Sequence, residues 1–149
     1  MRSRAAVLAF VLALVAAEAA QACPVTLPNR VAPHADFNYG NAKLRAQLNW
    51  VDGVLRAGVL PDGGSVATVQ PDGSIWAKLG WWRGVPGRLV ITGRRLDAPA
   101  PPLRADVPTG YGSTGFQATG LEFPTVGCWR VVGRQGSAKL VFVVRVRYV

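Results

Sequence analysis

The last stretch of the chain, "KLVFVVRVRYV", alternates strictly: Leu140, Phe142, Val144, Val146 and Tyr148 share one face of a strand, while Arg145 and Arg147 point the other way. Such a period of two predicts a half-buried strand with one wet face. The preceding run "CWRVVGR" has the same character, and "GRQGSA" between them predicts a terminal hairpin. In "RLVITGRRLD", Leu89 and Ile91 likewise share a face. The two apolar runs of "KLRAQLNWVDGVLRAGV" flank Asp52-Gly53, a pair that favours a tight hairpin because glycine accepts the positive φ required. "LPDGGS" and "QPDGS" predict two further turns, with Pro setting φ and Asp-Gly closing the turn. Asp62 and Asp72 lack the alternating carboxylates of a calcium loop.

Beyond the first residues no segment has a helical period, and the proline-rich "APAPPLRADVP" predicts an edge or a crossover between sheets. Roughly eight short strands at this spacing predict an all-β, single-domain, two-layer β-sandwich, with an open barrel as the alternative. The terminal hairpin, with Trp129 directed inward before a glycine turn and a last apolar strand, resembles the final strand pair of bacterial immunoglobulin-like domains, which implies an immunoglobulin-like sandwich.

The opening "MRSRAAVLAFVLALVAAEAAQA" places Arg2 and Arg4 before an apolar run of 13 residues, Ala5 to Ala17, and ends in small residues. This is the build of a secretory signal peptide, and the run is short of the roughly 20 residues that span a bilayer. The expected organisation is a signal peptide over 1–22, an extended Pro-rich lead-in over 23–40 and the β domain over 41–149. No later segment has the length and apolarity of a transmembrane helix. The destination expected is export, periplasmic or secreted, with a lipid anchor at Cys23 as the alternative.

Without Arg2, Arg4 and Glu18 the chain keeps 15 basic and 7 acidic side chains, a formal charge of about +8. That balance attracts anionic surfaces, or is simply a solvated surface, since no run of basic residues exceeds two. The expected partners are anionic envelope components or another envelope protein.

Cys23 and Cys128 have three possible fates: a mutual disulfide, a lipidated Cys23 beside a free Cys128, or neither. If Trp129 and Val131 face the core, Cys128 and Arg130 face outward, where the lead-in beginning at Cys23 can cover them. A bond between them would close a loop of about 105 residues, worth about 4 to 5 kcal/mol in the chain-entropy model.

The block Trp81 to Arg134, with "GRRLD", "GYGSTGFQ" and "FPTVGCW", resembles the shared segment of an uncharacterised group of bacterial secreted proteins and lipoproteins. The resemblance implies export and a β-rich extracytoplasmic domain, and carries no established activity. Members of that group often have a lipoprotein cleavage site; here Ala20, Gln21 and Ala22 precede Cys23, with Ala20 where Leu is usual and Gln21 where a small residue is usual.

Two stretches are candidate binding surfaces. Trp76, Trp81 and Trp82 form an aromatic cluster, of which adjacent Trp81 and Trp82 must point to opposite faces of a strand. The outward ring either offers a platform for a sugar or, with Arg83 and Arg88, a base, or it packs beneath the lead-in. The loop "GYGSTGFQATG" sets Tyr111, Ser113, Thr114, Phe116 and Gln117 among glycines. It is either a recognition loop or a crossover pinned by Tyr111 in the manner of a tyrosine corner.

No catalytic constellation is evident. His34 and Asp36 lie in the lead-in, Ser74 and Ser113 lack a nucleophile elbow, and Glu122 has no acid near it in sequence. His34, Asp36 and the cysteines lack any familiar metal-ligand spacing. The expectation is a non-catalytic module without metal or cofactor; a periplasmic enzyme and a basic polyanion or nucleic-acid binder are the alternatives.

Overall fold

The computed structural model describes residues 22–29, 36–50, 52–59, 63 and 67–149. Residues 1–21 of the expected signal peptide, His34 and most of "LPDGGS" therefore lie outside the described residues. The described chain is all-β. In order, the strands are β1 (Tyr39–Gly40), β2 (Leu44–Ala46), β3 (Val54–Ala57), β4 (Ala67–Val69), β5 (Ile75–Arg83), β6 (Val90–Arg95), β7 (Arg104–Asp106), β8 (Gly115–Phe123), β9 (Gly127–Gln135) and β10 (Ala138–Tyr148).

They form two sheets. The first runs β1-β2-β5-β8-β7, with β4 also on β5; the second runs β3-β10-β9-β6. Alternation along β5, β8, β9 and β10 sends one side of each strand into a shared core. The Trp81 ring from the first sheet meets Phe142 of the second at 6.3 Å, and Phe123 meets Trp129 edge-on at 5.6 Å. Both tryptophan NH groups are satisfied, Trp81 by Thr119 Oγ1 (3.1 Å) and Trp129 by the Thr125 carbonyl (2.9 Å), so each indole is buried without an orphaned donor.

The terminal hairpin forms as its alternation predicts, with Val141 opposite Val132 and Val144 opposite Trp129. Tyr148 is the exception on its face: it is half exposed at the strand's end and its hydroxyl donates to the Gly73 carbonyl. "QPDGS" closes the tight β4–β5 turn, where the Gly73 N–H donates to the Gln70 carbonyl at 2.9 Å. The proline-rich segment crosses from β6 in the second sheet to β7 at an edge of the first.

The expected hairpin at Asp52-Gly53 is not one. The turn is real, since the Asp52 carboxylate accepts the Val54 N–H and Gly53 has a φ of 77°. Its two arms, however, part: β2 pairs antiparallel with β5, and β3 pairs parallel with β10. Each run has a longer strand edge to join in its own sheet, where Leu44 and Leu55 are both fully buried. Turn chemistry fixes the local chain reversal but not the partner.

The lead-in is bound to the second sheet. The Thr26 N–H donates to the Val143 carbonyl and the Val143 N–H donates to Thr26 Oγ1, both at 2.8 Å. Val25 sits so close to Gly53 that a Cβ there would lie 2.4 Å from it. Cys23 is bonded to Cys128, whose side chain faces outward from β9, and the two Cα atoms are 5.5 Å apart. That sulfur is consequently not available for a lipid thioether.

Candidate functional site

The tryptophan cluster is divided by strand parity. Trp81 is in the core, whereas Trp76 and Trp82 lie half-buried on the outer face of the first sheet, six residues or about 20 Å apart along β5. Trp82 stands opposite Phe116 on β8, and Phe37 from the lead-in packs 6.0 Å from each ring. The ring is thus covered by the lead-in, the packing alternative of the two read from the sequence. Trp76 lies across Gly120, where an added Cβ would come within 2.8 Å of Nε1. Gly120 leaves the indole room to lie flat against β8.

Arg83 is not available for stacking on a base. It is 3% exposed and serves as the peg on which the glycine-rich loop hangs. Its Nε donates to the Gly115 carbonyl (3.1 Å), Nη1 to Gly112 (3.0 Å) and Nη2 to Tyr111 (2.8 Å), Thr114 (3.1 Å) and Phe116 (3.5 Å). Positive φ at Gly110, Gly112 and Gly115 curls the loop so that these carbonyls converge. Burial pulls the Arg83 pKa downward, and no carboxylate among the described residues offsets it. A buried guanidinium held only by carbonyl dipoles keeps its charge uncompensated.

Of the other loop residues, Tyr111, Ser113, Thr114 and Phe116 are exposed at the surface, with Tyr111 edge-on to Phe116 at 6.0 Å. The Ser113 carbonyl accepts a bond from buried Gln135, which also reaches the Val85 carbonyl. Gln117 is buried and donates to the Pro108 carbonyl at 2.8 Å, and its Oε1 has no hydrogen-bond partner among the described residues.

The structure also gathers acids that are distant in sequence. The Ser74 hydroxyl lies 2.7 Å from Asp72 Oδ1 and 2.9 Å from Glu122 Oε1, and Arg104 pairs with Glu122. The Arg104 bond, then the Ser74 bond, hold the Glu122 pKa below the ordinary 4.5 against the opposing effect of burial. A depressed carboxylate pKa contributes stability that is complete above the ordinary value and is lost as pH falls through the folded-state value. The melting curves of the wild type and Glu122→Gln are therefore expected to differ at neutral pH and to converge as the pH is lowered below 4.5. A gap that stays constant on acidification would show that the pair does not couple to folding. Among the described residues no cluster of His, Cys, Asp or Glu is arranged to hold a metal ion.

The most unequal distribution of charge is on the outer face of the second sheet. Core-facing Trp129, Val131 and Gly133 leave Arg130, Val132 and Arg134 of β9 pointing outward, and the register sets Arg94 of β6 opposite Arg130 and Lys139 of β10 opposite Arg134. Arg145 and Arg147 continue the same face along β10. Arg94, Arg134, Lys139 and Arg147 are exposed, and Arg130 is partly so. Among the described residues two acids border this face: Asp52 pairs with Arg56, which stands opposite Arg147, at 2.6 Å, and Asp97 pairs with Arg95 at 2.7 Å and with Arg145 at 4.0 Å while accepting the Cys128 N–H at 3.1 Å, so the cations left without an acid are those further along β6, β9 and β10. On the first sheet, by contrast, Asp72, Asp106 and Glu122 stand among Lys78 and Arg104, so that face is balanced.

Sequence parity alone put Arg130 outside, but that Arg94 stands opposite Arg130 and Lys139 opposite Arg134 needs the cross-strand register. Like charges directly opposite on a sheet are destabilising. Their presence twice on one face calls for a reason outside folding. In comparisons with protein-family models, curated proteins and solved structures, the chain has no match.

Proposed function

We propose that the protein is an exported, non-catalytic binding module of the bacterial envelope or periplasm, and that the outer face of its four-stranded sheet holds anionic envelope components. The observation that carries this reading is the register that sets Arg94 opposite Arg130 and Arg134 opposite Lys139 on the outer face of one sheet, like charges with no acidic residue opposite them in the ladder. The disulfide supports an oxidising, extracytoplasmic destination. It favours a freely diffusing form over a lipid anchor at Cys23. An immunoglobulin-like sandwich is the fold we assign, on the strength of two sheets around a tryptophan core and a terminal antiparallel hairpin.

A cation near an anionic bilayer surface contributes about 1 kcal/mol, screened within a Debye length of roughly 8 Å at physiological salt. The exported protein should therefore co-sediment with vesicles containing phosphatidylglycerol and be released as salt rises, while ignoring phosphatidylcholine vesicles. Retention that is indifferent to salt, or equal on both vesicles, would remove the proposal. A preference for single-stranded oligonucleotide over vesicles at equal charge would move the reading to nucleic acid.

The same face makes an opposed pair of predictions. Arg130→Thr removes a like-charge pair and adds a good strand former, so it should raise stability by about 0.2 to 1 kcal/mol while weakening vesicle binding. Denaturant unfolding and sedimentation of one preparation check both signs.

A further inference from the structure

On the outer face of the first sheet the register sets Trp76 of β5, Glu122 of β8 and Arg104 of β7 in one row, and Lys78, Gly120 and Asp106 in the next. Gly120 has no side chain, and a groove of about 240 Å³ opens there between Trp76 on one side and Arg104, Ala105 and Asp106 on the other, with Glu122 along it. That is roughly the space of eight waters. The groups that line it are within reach of a ligand: the Arg104 and Glu122 side chains are 63% and 26% exposed, Asp106 is exposed and Trp76 is half-buried.

Two of these groups are not used by the fold. Asp106 makes no hydrogen bond or ion pair among the described residues. The Trp50 N–H is sealed in the core without a partner, whereas the Trp76 N–H keeps contact with solvent and has no acceptor among the described residues. The other two are held in place. Glu122 is fixed by Arg104 and by the Ser74 hydroxyl at 2.9 Å, and Arg104 also stands 3.9 Å from Asp72. The groove therefore presents fixed donors and acceptors beside an indole. Charge decides what it takes. A cation would meet Arg104, with Lys78 in the same row as Asp106, and an anion would meet Asp106 and Glu122, with Asp72 behind Arg104.

We propose that this groove binds a neutral hexopyranose, free or as one unit of a polysaccharide. Two adjacent hydroxyls donate to the two oxygens of Asp106, a third accepts the Trp76 N–H, and the C–H groups of the ring rest against the indole and Ala105. The site is on the other sheet from the basic face and does not depend on it.

The test is a titration of the disulfide-bonded protein with the methyl glycosides of glucose, galactose and mannose, followed in ¹H–¹⁵N spectra. At least one glycoside should cause saturable shifts at the Trp76 Nε1–H and at the Gly120 and Asp106 amides, while the Nε1–H signals of buried Trp81 and Trp129 stay in place. Sorbitol, with the hydroxyls but no ring, should bind these residues at least fivefold more weakly, and so should glucosamine and glucuronate. Asp106→Asn, an exposed change that breaks no contact, should weaken the glycoside about fivefold, the difference between a charged and a neutral acceptor. Trp76→Phe, which keeps an aromatic ring and removes the N–H, should do the same, read at the Gly120 amide. The double variant Arg94→Thr, Arg130→Thr should bind the sugar as the wild type does even where vesicle binding is lost. A disaccharide of the preferred sugar that binds more tightly than the methyl glycoside would support the site as one for a polysaccharide, and one that binds equally would support it as one for a single ring. Shifts that rise linearly with every glycoside, equal affinity for sorbitol, or tighter binding of glucosamine or glucuronate would each overturn the proposal, and all three are read on the unmutated protein.

Discussion

Replacing Cys23 and Cys128 together by alanine lowers the unfolding free energy by about 3 to 5 kcal/mol, the largest effect expected of any change outside the core. The physical argument is the length of the loop: the bond joins residues 105 apart, so the oxidised unfolded chain is restricted over most of the domain. The folded state loses a second thing. Cys23 fixes the start of the lead-in over β9, and the Thr26–Val143 bonds that follow depend on the segment staying there. Denaturant unfolding of the wild type with and without reductant, beside the double variant, checks the prediction. The reduced wild type and the variant should agree. A loss under about 1 kcal/mol would mean that the reduced chain keeps the same restriction by other contacts.

The second large effect is expected at Arg83. Arg83→Met keeps much of the volume and removes every donor, so the carbonyls of Gly112, Thr114 and Gly115 lose their partner. The expected loss is about 2 to 4 kcal/mol, since hydrogen bonds to a charged group are worth more than neutral ones. Its signature is local. Amide exchange should accelerate across residues 110–116 while β9 and β10 keep their protection, because their mutual ladder does not run through the loop, which reaches β9 through the Gln135 side chain at the strand's end. Arg83→Lys, a single point donor in place of a planar fork, should recover part of the stability and little of the loop's order. Uniform acceleration over both sheets would instead make Arg83 a core residue in effect.

These two sites mark where sequence reasoning reached and where it stopped. Parity around Trp129 placed Cys128 outside the core, and an oxidised pair with Cys23 followed as one of three fates; the structure has that bond. The alternation of the terminal hairpin and the opposed directions of Trp81 and Trp82 were equally legible, because a period of two is a property of neighbours in sequence. Arg83 was not legible. As a charge beside two tryptophans it looked like a surface group, and only the curl of a loop some 30 residues later turns it into a peg. The Asp72–Ser74–Glu122 arrangement and the parting of β2 from β3 were hidden for the same reason: each depends on which strands pair, and pairing is decided by distant edges.

The basic face is an intermediate case. Its outward arginines on β9 and β10 can be read from alternation, yet the charge density arises only when β6 docks beside β9. Stability alone does not favour such a face, which is why it carries the functional reading.

The most direct measurement is a comparison of two variants with equal net charge. Arg94→Thr with Arg130→Thr removes two cations from the basic face; Lys43→Thr with Lys78→Thr removes two exposed cations from the other sheet's side. At about 1 kcal/mol per cation, the first pair should weaken binding to phosphatidylglycerol vesicles about thirtyfold, and the second should change it little. Equal losses in both would show that net charge alone draws the protein to anionic surfaces and that the sheet face has no special role.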